Sequence, residues 1–179
     1  MIILIAGGTH TGKTLLAQRL LEKYSYPYLS IDHLKMGLIR SGVCSLSPEC
    51  SNEELTDYLW PIVCEIIKTN IENNQNLIVE GCYIPLNYKN DFSSEYLHHI
   101  KCTCIIFSND YINKHYDDIL IHQSAIESRE DDGYCTRPLL LTENEYNRKM
   151  CEKNDVDFIF VNDSYTVVDW RGFADLGIQ

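Results

Sequence analysis

Eight residues near the amino end, Gly7-Gly8-Thr9-His10-Thr11-Gly12-Lys13-Thr14, meet the spacing Gly-x-x-x-x-Gly-Lys-[Ser/Thr] at every fixed position. That spacing serves polyphosphate binding. The glycines let the backbone take up conformations closed to other residues and approach a ligand closely. Successive N–H groups then converge on phosphate oxygens, and a helix that starts at once adds the partial positive charge of its N-terminus. Lys13 is placed to reach β- and γ-phosphates, and Thr14 to offer its hydroxyl to Mg²⁺. His10 fills a variable position and is expected to contribute its N–H rather than act as a base. The four fixed positions arise by chance in about one chain of this length in 100 to 200, so context has to support the motif.

The flanking elements do. Ile2–Ala6 reads as a buried strand and Thr14–Tyr24 as a helix with Leu15, Leu16, Leu20 and Leu21 toward the core. Further strands are expected at Tyr28–Ile31, Leu77–Val79, Ile100–Phe107 and Phe158–Val161. Asp32 is suited to cap a helix ending near Gly42. Asn52–Asn74 has helical spacing, with Pro61 expected to kink or split it. A loop is expected over Val43–Ser51, a polar surface path over Tyr83–Glu95, and a long polar helix over Asp110–Arg129. An acidic, turn-prone stretch follows over Glu130–Pro138. Thr142-Glu143-Asn144-Glu145 has capping-box spacing and should open another helix. The tail from Asp163 to Gln179 is ambiguous. Five short apolar strands alternating with helices imply an α/β fold, a parallel sheet covered on both faces. No repeat or linker divides the chain, so one domain is expected over residues 1–179.

With 15 basic against 26 acidic residues the formal charge is −11, which gives little general attraction to nucleic acid or anionic lipid. Any phosphate must be gripped locally. The first apolar run is too short for a signal-peptide core, and no run approaches the roughly 20 residues that span a bilayer; the cytoplasm is the expected location. The eight cysteines include no Cys-x-x-Cys pair, and Cys102 and Cys104 share one strand face. They read as structural thiols.

The loop alone does not separate transferases from other nucleotide-binding proteins. A guanine-reading Asn-Lys-x-Asp segment is absent from the sequence, and the third apolar strand ends in Glu80-Gly81 rather than Asp-Glu. On four features the chain resembles the small P-loop kinases built like adenylate kinase, shikimate kinase, gluconate kinase and the zeta-toxin kinases. These are the loop Gly7–Thr14, the segment Ser30-Ile31-Asp32-His33-Leu34-Lys35 with Arg40-Ser41-Gly42, the pair Glu80-Gly81, and the strand Phe158–Val161 ending at Asn162. The resemblance spans residues 1 to about 162; only the loop is highly specific.

The resemblance implies a three-layer fold with a five-stranded parallel sheet in the order 2-3-1-4-5. Its site would gather beyond the carboxyl ends of the strands, bringing together Gly7–Thr14, Asp32, Glu80, Ser108 and Asn162. It implies ATP and Mg²⁺, with Asn162 near the base and the acceptor near Asp32, Lys35, Arg40 and Glu80. Asp32 would serve as general base toward a hydroxyl acceptor, or orient Mg²⁺ waters or a ribose if the acceptor is a phosphate; the alternative is a helix cap, a job one residue can combine with either. Glu80 would orient the acceptor or a Mg²⁺ water. A lid over about residues 111–140 would carry Arg129 and Arg137 onto the transferring group, with Arg148 as a weaker third candidate; the alternative for each is a surface ion pair.

Two departures bear on the acceptor. Lys35 stands where the family has an arginine for the acceptor's phosphate, offering a point charge rather than a fork. No basic residue follows Glu80-Gly81 until Lys89. Both favour a small acceptor bearing a hydroxyl over a nucleoside monophosphate. The readings held open are therefore an ATP-dependent small-molecule kinase, a nucleoside monophosphate kinase, and a nucleotide-binding regulatory protein without transfer activity.

Overall fold

The computed structural model describes residues 1–122, 126 and 135–165. Five strands form one sheet: β1 (Ile2–Gly7), β2 (Tyr28–Ser30), β3 (Leu77–Glu80), β4 (Ile100–Phe107) and β5 (Asp157–Val161). Every neighbouring pair is parallel, in the order β2-β3-β1-β4-β5. β1 lies at the centre and all six of its residues are buried, which is why it reads as a continuous apolar run rather than an alternation.

The helices are α1 (Lys13–Tyr24), α2 (Ile31–Arg40), α3 (Asn52–Glu72), the short α4 (Ser94–Leu97), α5 (Asn109–Ile121) and α6 (Arg137–Asn154). One face of the sheet packs Ile3 and Ile5 with Leu16, Ala17 and Leu20 of α1 and Ile112 and Ile119 of α5. The other packs Ile2, Leu4 and Ala6 with Leu55, Leu59, Val63 and Ile67 of α3. In α1 only Leu16 and Leu20 of the four expected leucines are buried, with Ala17 between them; Leu15 and Leu21 lie at the margin.

Several local expectations need correction. α3 runs through Pro61 as one helix of 21 residues. Pro61 is exposed, so the carbonyl it strands can face water. The helix is held at both sides of the proline by its buried face and at its start by a capping box between Ser51 and Glu54, a motif whose cap contributes about 1 kcal/mol. α5 ends at Ile121, with His115 out of helical geometry (φ −120, ψ 23). The expected end at Arg129 lies outside the described residues, as do most of the acidic stretch and the tail beyond Tyr165.

The segment from Tyr83 onward is not a surface path. Tyr83, Ile84, Leu86, Tyr88 and Phe92 are buried against α3. Phe92 meets Trp60 edge-on at 6.2 Å, and the Trp60 indole donates to Asp91 Oδ2 at 2.8 Å. Thr142 does not open a helix either. α6 begins at Arg137, capped by Thr136, whose side chain accepts from Leu139 N at 3.4 Å. Pro138 fits because the first turn needs no N–H from it, and Thr142 donates to Pro138 O at 2.9 Å within the helix.

The cysteines of the described fold are free thiols. Cys104 is buried and hydrogen-bonded to Cys151, joining β4 to α6, and this contact with burial holds its pKa well above the usual thiol value. Among the described residues no helix is long and apolar enough to cross a membrane.

Candidate active site

The parallel register sets one row of residues at the carboxyl edge of the sheet: Ser30 pairs with Glu80, and Glu80 with Ile5. Past that row the chain leaves β1 into the loop, leaves β2 into α2 and leaves β3 into Gly81. Residues distant in sequence therefore face one cleft.

The loop is built as its spacing predicts. Gly12 has φ +84, a left-handed conformation that L side chains rarely adopt, and it is the N-cap of α1. Its carbonyl accepts the first helical bond, from Leu16 N at 3.0 Å. The Thr11 hydroxyl donates back to Gly8 O at 2.9 Å, bracing the turn. Lys13 is only 7% exposed, and its ammonium donates to the same carbonyl at 2.7 Å and also bonds Cys82. Burial opposes that charge, but Cys82, Glu80 and Asp32 around it hold the Lys13 pKa above the ordinary lysine value. His10, with φ +59, brings its Nδ1 to 2.7 Å from the Thr9 hydroxyl.

Asp32 lies in the first turn of α2; the N-cap is Ser30, so Asp32 is not the cap. One turn on, Lys35 Nζ donates to Asp32 Oδ1 at 2.7 Å and to the Tyr83 hydroxyl at 2.9 Å. Burial opposes the Lys35 charge, but Asp32 and then Tyr83 outweigh it and raise its pKa. Glu80, 1% exposed, ends β3 beside them.

Sequence reasoning missed Cys82 and Tyr83, which bond Lys13 and Lys35, and a residue from a distant helix. Glu143 of α6 reaches the loop, where its Oε2 accepts from Thr9 N at 2.8 Å. Its neighbour Asn144, 1% exposed, pins α6 to the end of β4 by accepting from Phe107 N at 2.7 Å. The i,i+4 spacing of Leu140 and Asn144 marks the buried face of α6, but no local signal says which strand end that face meets. The charges of Lys13, Asp32 and Glu143 all bear on Cys82. Three carboxylates (Asp32, Glu80, Glu143) thus share the cleft with two ammonium groups (Lys13, Lys35).

Other expected residues stand apart. Arg40 ends α2 in an exposed position, about 12 Å along the helix axis from Asp32 at 1.5 Å per residue. Arg137 is exposed with its guanidinium 4.8 Å from the Tyr116 ring centre, and Arg148 lies over the Phe160 ring at 5.5 Å while bonding Glu152 at 3.1 Å. Arg129 lies outside the described residues. Asn162 follows β5 and is exposed. Ser108 caps α5 through Tyr111 N at 3.0 Å.

Beside the loop opens a cavity of about 540 Å³, running from Gly12–Thr14 past Phe107, Tyr111 and Tyr165. Phe107 and Tyr165 meet edge-on at 6.1 Å, and the Tyr165 hydroxyl donates to Thr11 O at 3.2 Å. Burial pushes the Tyr165 phenol well above its usual range, so it stays protonated.

The oxygens present suit a hard divalent cation. Thr14 lies in the first turn of α1 at the loop, and the excess of carboxylate over ammonium leaves negative charge to neutralise. Among the described residues no three His, Cys, Asp or Glu side chains are grouped to hold a metal ion.

No protein-family model and no curated protein matches the sequence. Solved structures match over nearly the full chain. Shikimate kinase from Aquifex aeolicus superposes with a TM-score of 0.54 at 17% identity, covering 98% of this chain and 95% of its own. A gluconokinase from Sinorhizobium meliloti gives 0.52 at 14%, covering 97% and 91%. Deoxyadenosine kinase from M. mycoides gives 0.53 at 13%, covering 98% of both chains. The strand order, the loop at the end of β1 and these superpositions agree: the chain has the fold of the small P-loop kinases.

Proposed function

We propose that the chain is an ATP-dependent kinase that moves the γ-phosphoryl group to a hydroxyl of a small acceptor. One observation carries this reading. The buried Lys13 ammonium at the phosphate loop shares a cleft with the Asp32 carboxylate, which is bonded by Lys35, itself bonded to Tyr83. A donor site and a proton acceptor thereby adjoin each other. Relatives in fold that act on shikimate, gluconate and deoxyadenosine support a small-molecule acceptor.

In this reading the loop N–H groups hold the β- and γ-phosphates and Lys13 leaves Gly8 O to bond them. The nucleoside lies in the cavity between Gly12–Thr14 and the rings of Tyr111 and Tyr165, a volume suited to it. The acceptor hydroxyl oxygen attacks the γ-phosphorus in line as the bond to the ADP oxygen breaks, and Asp32 takes the hydroxyl proton. Thr14 and Glu80 would help to hold magnesium, which would neutralise charge on the phosphate oxygens. Arg129 and Arg137 are the proposed lid residues, and closure would exclude water as a competing acceptor.

Engagement of Lys35 by Asp32 and Tyr83 weighs against its use as the phosphate anchor of a nucleoside monophosphate. The test is a screen of sugars, organic acids, nucleosides and nucleotides with ATP and Mg²⁺, read as ADP release. ADP release that rises with one hydroxyl compound supports the reading. A response to nucleoside monophosphates alone replaces it with the nucleotide-kinase reading, and tight ATP binding without turnover replaces it with a regulatory role.

A further inference from the structure

The contact between Glu143 and the phosphate loop is not part of the transfer chemistry described above. Its Oε2 sits 2.8 Å from Thr9 N, and a β-carbon added to Gly8 would lie 2.8 Å from the same oxygen. A carboxylate oxygen is therefore lodged against the loop's backbone, bringing negative charge to the segment whose N–H groups converge on phosphate. Lys13 is turned inward at the same place, donating to Gly8 O at 2.7 Å. One anionic and one cationic side chain thus bond two backbone groups of the loop, Thr9 N and Gly8 O.

The placement of Glu143 follows from helix packing. Asn144, the next residue, accepts from Phe107 N at 2.7 Å and donates to Leu140 O at 2.8 Å, and Leu140 is fully buried. α6 is therefore fixed at the end of β4, and it aims residue 143 at the loop. A polyphosphate settling in the loop meets a group of the same sign lodged against its backbone.

We infer that Glu143 is an internal anion that competes with phosphate for the loop, and so sets how tightly the chain binds polyphosphate. The inference rests on the reading of the loop as a polyphosphate site. It makes Glu143 a specificity residue: ligands with few contacts, such as inorganic phosphates, are weakened, while a nucleotide that also fills the neighbouring cavity gains enough to displace the carboxylate. Displacement removes a hydrogen bond between α6 and the loop, so ligand binding is coupled to how α6 is held.

The experiment is calorimetric titration of inorganic tripolyphosphate, in chelator, into wild type, Glu143→Gln, Glu143→Ala and Lys13→Ala. Gln is isosteric and still accepts from Thr9 N, so it removes charge alone; thermal melts confirm that each variant is folded. The expected result is binding about 10-fold tighter than wild type in both Glu143 variants, equivalent to about 1.4 kcal/mol, and loss of binding in Lys13→Ala. Equal or weaker binding in Glu143→Gln, with binding still dependent on Lys13, overturns this inference alone. Binding indifferent to Lys13, or absent from all four proteins at millimolar ligand, overturns the loop reading and this inference with it.

Discussion

Lys35 Nζ lies 2.7 Å from Asp32 Oδ1, and the side chains are 13% and 31% exposed, so the basic residue one helical turn beyond the carboxylate is committed to it. Two functions then separate. Asp32→Asn removes the proton acceptor and should lower kcat with a hydroxyl acceptor by about 10²- to 10⁴-fold, leaving ATP affinity within a few-fold. Steady-state kinetics together with ATP titration check this.

Lys35→Met leaves the carboxylate in place but loosens it. Because the pair is partly solvated, its loss should cost about 1 kcal/mol, or about 2–4 °C in Tm for a chain this size. The fall in kcat should be smaller than in Asp32→Asn, read from melts and rates on the same preparations.

Asn144 carries α6. Replacing it with Leu leaves Phe107 N buried without its acceptor, which should cost about 1–3 kcal/mol. Thermal denaturation should show a drop of several degrees. Because α6 also places Glu143, the variant should bind tripolyphosphate differently from wild type, whereas Arg148→Ala, exposed on the same helix, should not.

Legibility in the sequence follows the range of the interactions. β1 and the loop were readable because an apolar run, glycine spacing and Lys-Thr are all local. The strand order came with the resemblance, and the structure bears it out. The burial of Tyr83 to Phe92 was hidden because its apolar residues follow no helical or strand period and turn inward only against α3. The start of α6 carried a local signal, Thr136 ahead of Arg137-Pro138, that the stronger-looking Thr142-x-x-Glu145 spacing obscured. Glu143 was unreadable because its partner lies 134 residues away.

Alkaline pH offers a test of the core. The Cys64 thiol, ordinarily titrating near 9, is pushed up to about 12 by burial first and then by Asp91. Between those values the unfolded chain loses a proton that the fold retains, so stability falls as pH rises. Denaturant melts from pH 8 to 11 should show this decline, and Cys64→Ala should show a shallower one than wild type from an already lowered starting stability.

Gly12 tests the loop's shape. At φ +84 an added β-carbon is strained and would overlap the Tyr165 hydroxyl. Gly12→Ala should weaken ATP binding by at least 10-fold while the chain stays folded by circular dichroism.

The central claim is that the amino-terminal loop and Lys13 hold a triphosphate. Titrating ATP with Mg²⁺ into wild type and Lys13→Ala measures this directly. The account predicts saturable binding below about 1 mM, or about −4.1 kcal/mol or tighter, weakened at least 10-fold by the substitution in a folded protein. Binding of equal strength in both proteins, or none in wild type, would contradict it.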